Sequence, residues 1–173
     1  MIGVLALQGN FIKHIELLKK LGISSTEVRY PDQLNEVDGL VLPGGESSVI
    51  SDLIVRNDLL EPIVEFSRFK PILATCAGII LMSKKTNDSR VIPLNIFDIE
   101  IYRNAYGRQI HSFVDTIQVD LNGKTSSIVA SFIRAPKIAK LGNDIEVLAT
   151  HNGIPVAIRN DRHIGLTFHP ELN

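Results

Sequence analysis

Apolar runs and helical spacings alternate through the first half of the chain. Positions 2–7 are apolar except for Gly3 and end at Gln8-Gly9, the pattern of a strand covered on both faces. Phe11, Ile15, Leu18 and Leu21 then recur with charged residues between them, which predicts a helix over 11–21 stopped by Gly22. A strand over 25–29 follows, and Pro31-Asp32 opens a turn or short helix. Positions 39–42 form the clearest buried strand and run straight into Pro43-Gly44-Gly45-Glu46-Ser47. The pattern over 48–64 is helical, in two pieces around Asn57-Asp58. Another buried strand over 71–74 leads through Thr75-Cys76-Ala77-Gly78 into a helix over 79–82. Strand and helix alternate four times, which predicts an α/β fold with a parallel sheet.

The second half changes period. Positions 96–102, 112–121 and 127–133 alternate as antiparallel strands do, with Asn122-Gly123 as a turn. Strands over 145–149, 155–158 and 164–168 complete the set, with Asn152-Gly153 as a hairpin turn. The expected architecture is one domain over 1–173. It has three layers, a mostly parallel sheet flanked by helices and extended by antiparallel strands, with no repeat or linker.

Composition narrows the function. The chain has 173 residues, 45% of them hydrophobic, enough for one core. A net charge of −1 gives no broad electrostatic basis for binding nucleic acid or an anionic membrane. No stretch approaches the roughly 18 apolar residues of a membrane span. One cysteine makes no internal disulfide, so the chain fits a reducing compartment and is expected to be cytoplasmic. No Cys/His cluster has zinc spacing, and neither a metal nor a cofactor is expected.

Open α/β sheets bind ligands beyond the carboxyl ends of their strands. Three candidate segments lie there. Cys76 sits at a strand-to-helix turn between the small residues Ala74 and Gly78, as a nucleophile on a crowded backbone requires. The turn also puts the sulfur at the positive end of a helix. His169 and Glu171 follow the predicted strand over 164–168. In an extended segment they share a side, so the carboxylate would orient an imidazole that relays the thiol proton. Gly44-Gly45 allows close backbone approach, and an N–H there, with that of Ala77, would form an oxyanion hole. Taken singly, an inert core thiol, a solvated His-x-Glu pair and an empty glycine turn remain open readings.

Together, and in this order, the segments resemble class I glutamine amidotransferases. Within that class they resemble the family of glutaminase subunits of pyridoxal 5′-phosphate synthases. The likeness runs almost end to end. It includes Gly3-Val4-Leu5-Ala6-Leu7-Gln8-Gly9, Leu42-Pro43-Gly44-Gly45-Glu46-Ser47-Ser48, Arg103-Asn104-Ala105-Tyr106-Gly107-Arg108-Gln109, Phe132-Ile133-Arg134-Ala135-Pro136 and Phe168-His169-Pro170-Glu171-Leu172. The resemblance implies a Cys76–His169–Glu171 triad that hydrolyses L-glutamine. It also implies backbone oxyanion donors at Gly45 and Ala77, and glutamine contacts from Gly45, Glu46, Ser47, Arg103, Ile133 and Arg134. It implies a (β/α)₈-barrel synthase subunit in a hetero-oligomer, receiving ammonia for pyridoxal 5′-phosphate (vitamin B6) synthesis. Such glutaminases are weak until docked, which implies a misoriented Gly44-Gly45 peptide in the free chain. Two departures from the family pattern are Ala74, where Gly is usual, and an end at Asn173, where a C-terminal helix usually follows. That end is expected to loosen the segment carrying His169 and Glu171. The alternatives are a glutaminase for another synthase, as in purine or histidine synthesis, a non-catalytic binding subunit, or a cysteine hydrolase of other amides. His14 reads as structural or partner-facing, and His111, His151 and His163 as polar surface or hydrogen-bonded positions.

Overall fold

The computed structural model describes residues 1–103 and 112–172. The expected α/β order holds through the first half. Strand β1 (Ile2–Leu5) is followed by α1 (Phe11–Lys20), β2 (Ser25–Val28) and a 3₁₀ segment, Pro31–Glu36. Then come β3 (Gly39–Leu42), α2 (Ser47–Arg56), α3 (Leu60–Phe69), β4 (Ile72–Thr75) and α4 (Ala77–Met82). The helix break falls around Asn57-Asp58 as expected, because Asp58 takes a positive φ of 55° that a helix cannot continue through. His111 and residues 104–109 of the Arg103 motif lie outside the described residues.

The second half contributes β5 (Ser83–Thr86), β6 (Phe97–Tyr102), β7 (Phe113–Leu121), β8 (Lys124–Phe132) and β9 (Lys137–Leu141). It ends with β10 (Glu146–His151), β11 (Ile154–Arg159), β12 (Ile164–Leu166) and a 3₁₀ turn, Pro170–Leu172. The main sheet has the order β10-β11-β12-β4-β3-β1-β2. Its pairs from β2 across to β12 are parallel, and β10 and β11 extend it antiparallel.

Strand direction differs from the sequence reading in two places. β12 pairs parallel with β4, bringing Leu166 beside Thr75. β6 pairs parallel with β5 and antiparallel with β9, in a small separate sheet. The β7–β8 hairpin is also separate from the main sheet. Alternation reports which face of a strand is buried but carries no information about its neighbour's direction, which is set by the connection.

The core fills the space between the sheet and its helices. Leu5, Leu40, Leu42, Ile50, Ile63, Ile79 and Phe97 are almost wholly buried in one cluster. Each such side chain contributes about 1.5–3 kcal/mol by leaving water. A second cluster, with Ile117, Phe132, Leu148, Val156 and Phe168, seats the β7–β8 hairpin on β10 and β11. Phe132 stacks on Phe113 at 4.7 Å and tilts against Phe168 at 5.6 Å. The hairpin is thereby fixed to the residue that precedes His169. Among the described residues, no helix is long and apolar enough to cross a membrane.

His163 joins this core and is hydrogen-bonded there. It is 4% exposed, and its Nδ1 accepts the Ile72 N–H at 3.1 Å, at the start of β4. A nitrogen that accepts is unprotonated. Burial, with the Arg162 charge beside it, pushes the His163 pKa down from 6.5 to about 4. The unfolded chain therefore binds the proton first on acidification, so this contribution is complete above pH 6.5 and is lost as pH falls toward about 4. The expected loss is up to about 3 kcal/mol. Urea unfolding of wild type and His163→Asn across this window tests it. Asn keeps an acceptor without titrating, so its stability should fall less steeply with acid; equal slopes would contradict the assignment.

Candidate active site

Cys76 occupies the sharp turn between β4 and α4. Its backbone has φ 48° and ψ −103°, a conformation rare for a residue with a side chain. Two contacts hold it there. The Cys76 N–H donates to Leu166 O at 2.9 Å, continuing the parallel pairing of β4 with β12. Gly78 lets α4 press against β3, since a Cβ there would lie 2.2 Å from Leu42 O. Cys76 is 7% exposed, and its thiol donates to Ile133 O at 3.8 Å.

His169 reaches the thiol from the end of β12. Its N–H donates to Ser131 O at 2.9 Å, tying the segment to β8. The ring is hydrogen-bonded to Cys76 on one side. On the other, Nδ1 lies 2.7 Å from Glu171 Oε1. Burial alone would push the His169 pKa down. The hydrogen bonds and charges of Cys76 and Glu171 outweigh it and push the pKa up to about 10. Burial likewise raises the Glu171 carboxyl, but the His169 hydrogen bond and the nearby His14 bring it below its usual value. The segment that the chain end was expected to loosen is packed in the structure: His169 is 4% exposed and the Glu171 side chain 0%.

The glycine loop closes over this pair. The Gly44 carbonyl accepts the Asn10 N–H at 2.9 Å. A trans peptide is planar, so the Gly45 N–H points away from Asn10. Gln8 Oε1 accepts the Glu46 N–H at 2.8 Å and pins the loop from the β1 side.

Arg103 follows β6 and lies between two carboxylates. It is paired with Glu46 and, at 2.7 Å, with Asp88. Its backbone N–H donates to Asn87 Oδ1 at 2.8 Å. Asp88 is held in turn by Arg90 at 2.7 and 2.8 Å, and these contacts lower its pKa. Ser47 opens α2, and its Oγ is buried without a hydrogen-bond partner in the structure.

These parts meet in one cleft of about 210 Å³. Gly45, Glu46, Ser47, Cys76, Ala77, Arg103, Ile133, Arg134 and His169 all line it, with Asn10 and Ile80. Glu171 stands behind His169, out of the cleft. Every candidate residue read from the sequence is therefore brought to one place. Missed were Gln8 and Asn10, which brace the loop, and Asn87 and Asp88, which hold Arg103. Gln8 and Asn10 had a usable signal, because they follow β1 at the same end of the sheet. Asn87 and Asp88 follow a short polar strand that has no apolar pattern. His151 lies elsewhere, 2.9 Å from Asp115 on the hairpin. Among the described residues, no group of His, Cys, Asp and Glu side chains is arranged to hold a metal.

Gly44 packs directly against the thiol and the imidazole. A Cβ there would lie 2.3 Å from His169 Cε1 and 3.2 Å from Cys76 Cβ. Gly44→Ala is expected to push the imidazole off the thiol. Displacements on the order of 1 Å cost about 100-fold in rate. Reaction of the thiol with a glutamine-like electrophile should fall by about that factor while far-ultraviolet circular dichroism is unchanged. An unchanged rate would contradict this geometry.

Comparison with known proteins identifies the family. The chain is 42% identical over 172 residues to pyridoxal 5′-phosphate synthase subunit PdxT of Thermotoga neapolitana, covering 99% of this chain and 91% of that one. It is 46% identical over 176 residues to the protein of the same name from Herpetosiphon aurantiacus, covering 99% and 92%. A solved structure described as a glutamine amidotransferase superposes with a TM-score of 0.93 at 36% identity, covering 99% of this chain and 91% of the other. A glutamine amidotransferase from Thermotoga maritima shares the fold at a TM-score of 0.63 and 14% identity, covering 98% and 75%. The model of the SNO glutamine amidotransferase family matches residues 4–173, and the chain belongs to that family.

Proposed function

We propose that the chain is the glutaminase subunit of a pyridoxal 5′-phosphate synthase, releasing ammonia from L-glutamine through Cys76, His169 and Glu171. The observation that carries this is the relay itself. A thiol on a positive-φ turn is hydrogen-bonded to an imidazole whose far nitrogen is 2.7 Å from a buried carboxylate. That is the arrangement for covalent acyl transfer. The relatives named above are described as subunits of pyridoxal 5′-phosphate synthase, and they match almost the whole chain.

The chemistry follows from the positions. Cys76 Sγ attacks the side-chain amide carbon of glutamine, and the carbonyl oxygen takes the charge. The N–H groups of Gly45 and Ala77 are the donors for that oxyanion. His169, whose pKa stands near 10 beside Cys76 and Glu171, carries the proton that passes to the departing ammonia. Glu171 keeps the ring turned toward the sulfur. Water, losing a proton to His169, then attacks the glutamyl thioester, releasing glutamate and the thiolate.

Recognition of the amino-acid end uses groups already paired with each other. Arg103 presents a planar fork suited to an α-carboxylate, and Glu46 presents a carboxylate suited to an α-ammonium. The unpartnered Ser47 Oγ supplies another polar contact, and Ile133 and Arg134 line the same cleft. The cleft lies below the roughly 300–1,000 Å³ of sites for larger ligands, which suits one amino acid. Ammonia made here passes to a (β/α)₈-barrel synthase subunit docked on this chain.

The test is ammonia release from L-glutamine, with and without the barrel subunit. Cys76→Ala should lower turnover by at least about 1,000-fold in both cases. Turnover that survives the substitution would exclude Cys76 as the nucleophile.

A further inference from the structure

Glu171 has a second oxygen that the relay does not use. Oε1 takes His169 at 2.7 Å and, more distantly, Asn10 Nδ2 at 3.4 Å. Oε2 is buried and has no well-formed hydrogen bond in the structure. His14 faces it, with Nε2 3.4 Å away. The same Nε2 is 3.2 Å from the hydroxyl of Thr75, the residue that precedes Cys76 and is itself 0% exposed.

His14 is a costly residue for this position. It is the one fully buried side chain of α1, at 3% exposure, where the core would accept an apolar residue. A buried imidazole loses its solvation and stays only where polar partners replace it. Burial lowers its pKa against the opposing pull of Glu171, which favours the neutral ring. A neutral ring carries one proton, on Nδ1 or on Nε2. With the proton on Nδ1, two lone pairs would face each other between Nε2 and the Oε2 carboxylate. With the proton on Nε2, the N–H lies between two acceptors, Oε2 and the Thr75 oxygen.

We propose that His14 is a positioning residue of the hydrolytic relay. Its Nε2–H, held between Thr75 Oγ1 at 3.2 Å and Glu171 Oε2 at 3.4 Å, fixes the carboxylate that orients His169. It also ties that carboxylate to the strand that carries Cys76. The contacts then close a ring: Cys76 to His169, His169 to Glu171, Glu171 to His14, and His14 to Thr75 beside Cys76. Thr75 and Glu171 lie far apart in sequence and on different elements, so α1 acts as the clasp that keeps the two halves of the relay in register. The proposal rests on the triad reading given above.

The experiment compares wild type, His14→Leu, His14→Gln and Glu171→Gln as full chains with the synthase subunit present. Turnover is expressed per thiol titrated by a glutamine-like electrophile, so loss of folded protein does not count. A Gln amide can place an N–H near the Nε2 position, whereas Leu cannot. His14→Leu should lower kcat per titrated thiol about 10- to 100-fold, the worth of a hydrogen bond to a charged group. KM should stay within about 3-fold, because His14 touches no part of the cleft. His14→Gln should recover most of the loss. Unchanged kcat per titrated thiol in His14→Leu, or no recovery in His14→Gln, overturns the proposal. If Glu171→Gln itself turns over normally, the triad reading fails first, and the proposal with it. Nitrogen NMR of the wild-type chain gives a readout independent of activity and of any variant's folding. The proposal requires His14 Nε2 to bear a proton, and a bare Nε2 overturns it.

Discussion

Backbone strain at one turn organises this molecule. Cys76 holds φ at 48°, a conformation that costs on the order of 1–3 kcal/mol unless its surroundings enforce it. The enforcement is long-range. Leu166 O takes the Cys76 N–H, and that bond exists only because β12 returns to lie parallel beside β4. Gly78 accepts the backbone of Leu42, and that contact exists only because β3 is the neighbour on the other side. The pairing that holds the thiol up also delivers the partner. β12 ends at Leu166, so His169 and Glu171 emerge a few residues later at the same end of the sheet.

A second layer of constraint is electrostatic. The relay and its neighbours place two imidazoles and two carboxylate-binding groups near one small cleft. Several charges have a fixed counterpart: Glu171 with His169, Glu46 with Arg103, Asp88 with Arg90 and Arg103. Pairing of this kind organises the site before substrate arrives. Polar groups already aimed need little reorganisation in the transition state. On the proposed function the Glu46–Arg103 pair is the exception, since a zwitterionic amino acid would offer both partners a replacement charge.

Much of this was legible along the chain. Positions 39–42 read as a strand because three consecutive apolar residues after Gly39 met a Pro-Gly-Gly break, and the structure places β3 there. The loop after it and the turn at Cys76 were recognisable because glycine and small residues mark close backbone approach. What escaped was information that sequence does not carry locally. Ser83–Thr86 reads Ser-Lys-Lys-Thr, and it becomes β5 only because β6 lies alongside. β12 looked like one more alternating strand, and its parallel direction follows from where the chain enters the sheet. His14 had no local signal for its role, because its partners Thr75 and Glu171 are 61 and 157 positions distant and meet it only in the folded chain. Asp88 was hidden for a similar reason, since its value lies in holding Arg103 from another loop.

The central claim is that Cys76 is the nucleophile toward glutamine. The most direct measurement is covalent labelling of the full chain, with the synthase subunit present, by a diazo-ketone analogue of glutamine, followed by mass spectrometry of the peptides. The expected result is stoichiometric loss of glutaminase activity, one label per chain on Cys76, and protection by L-glutamine. A label on any other residue, or inactivation with Cys76 unmodified, would contradict it.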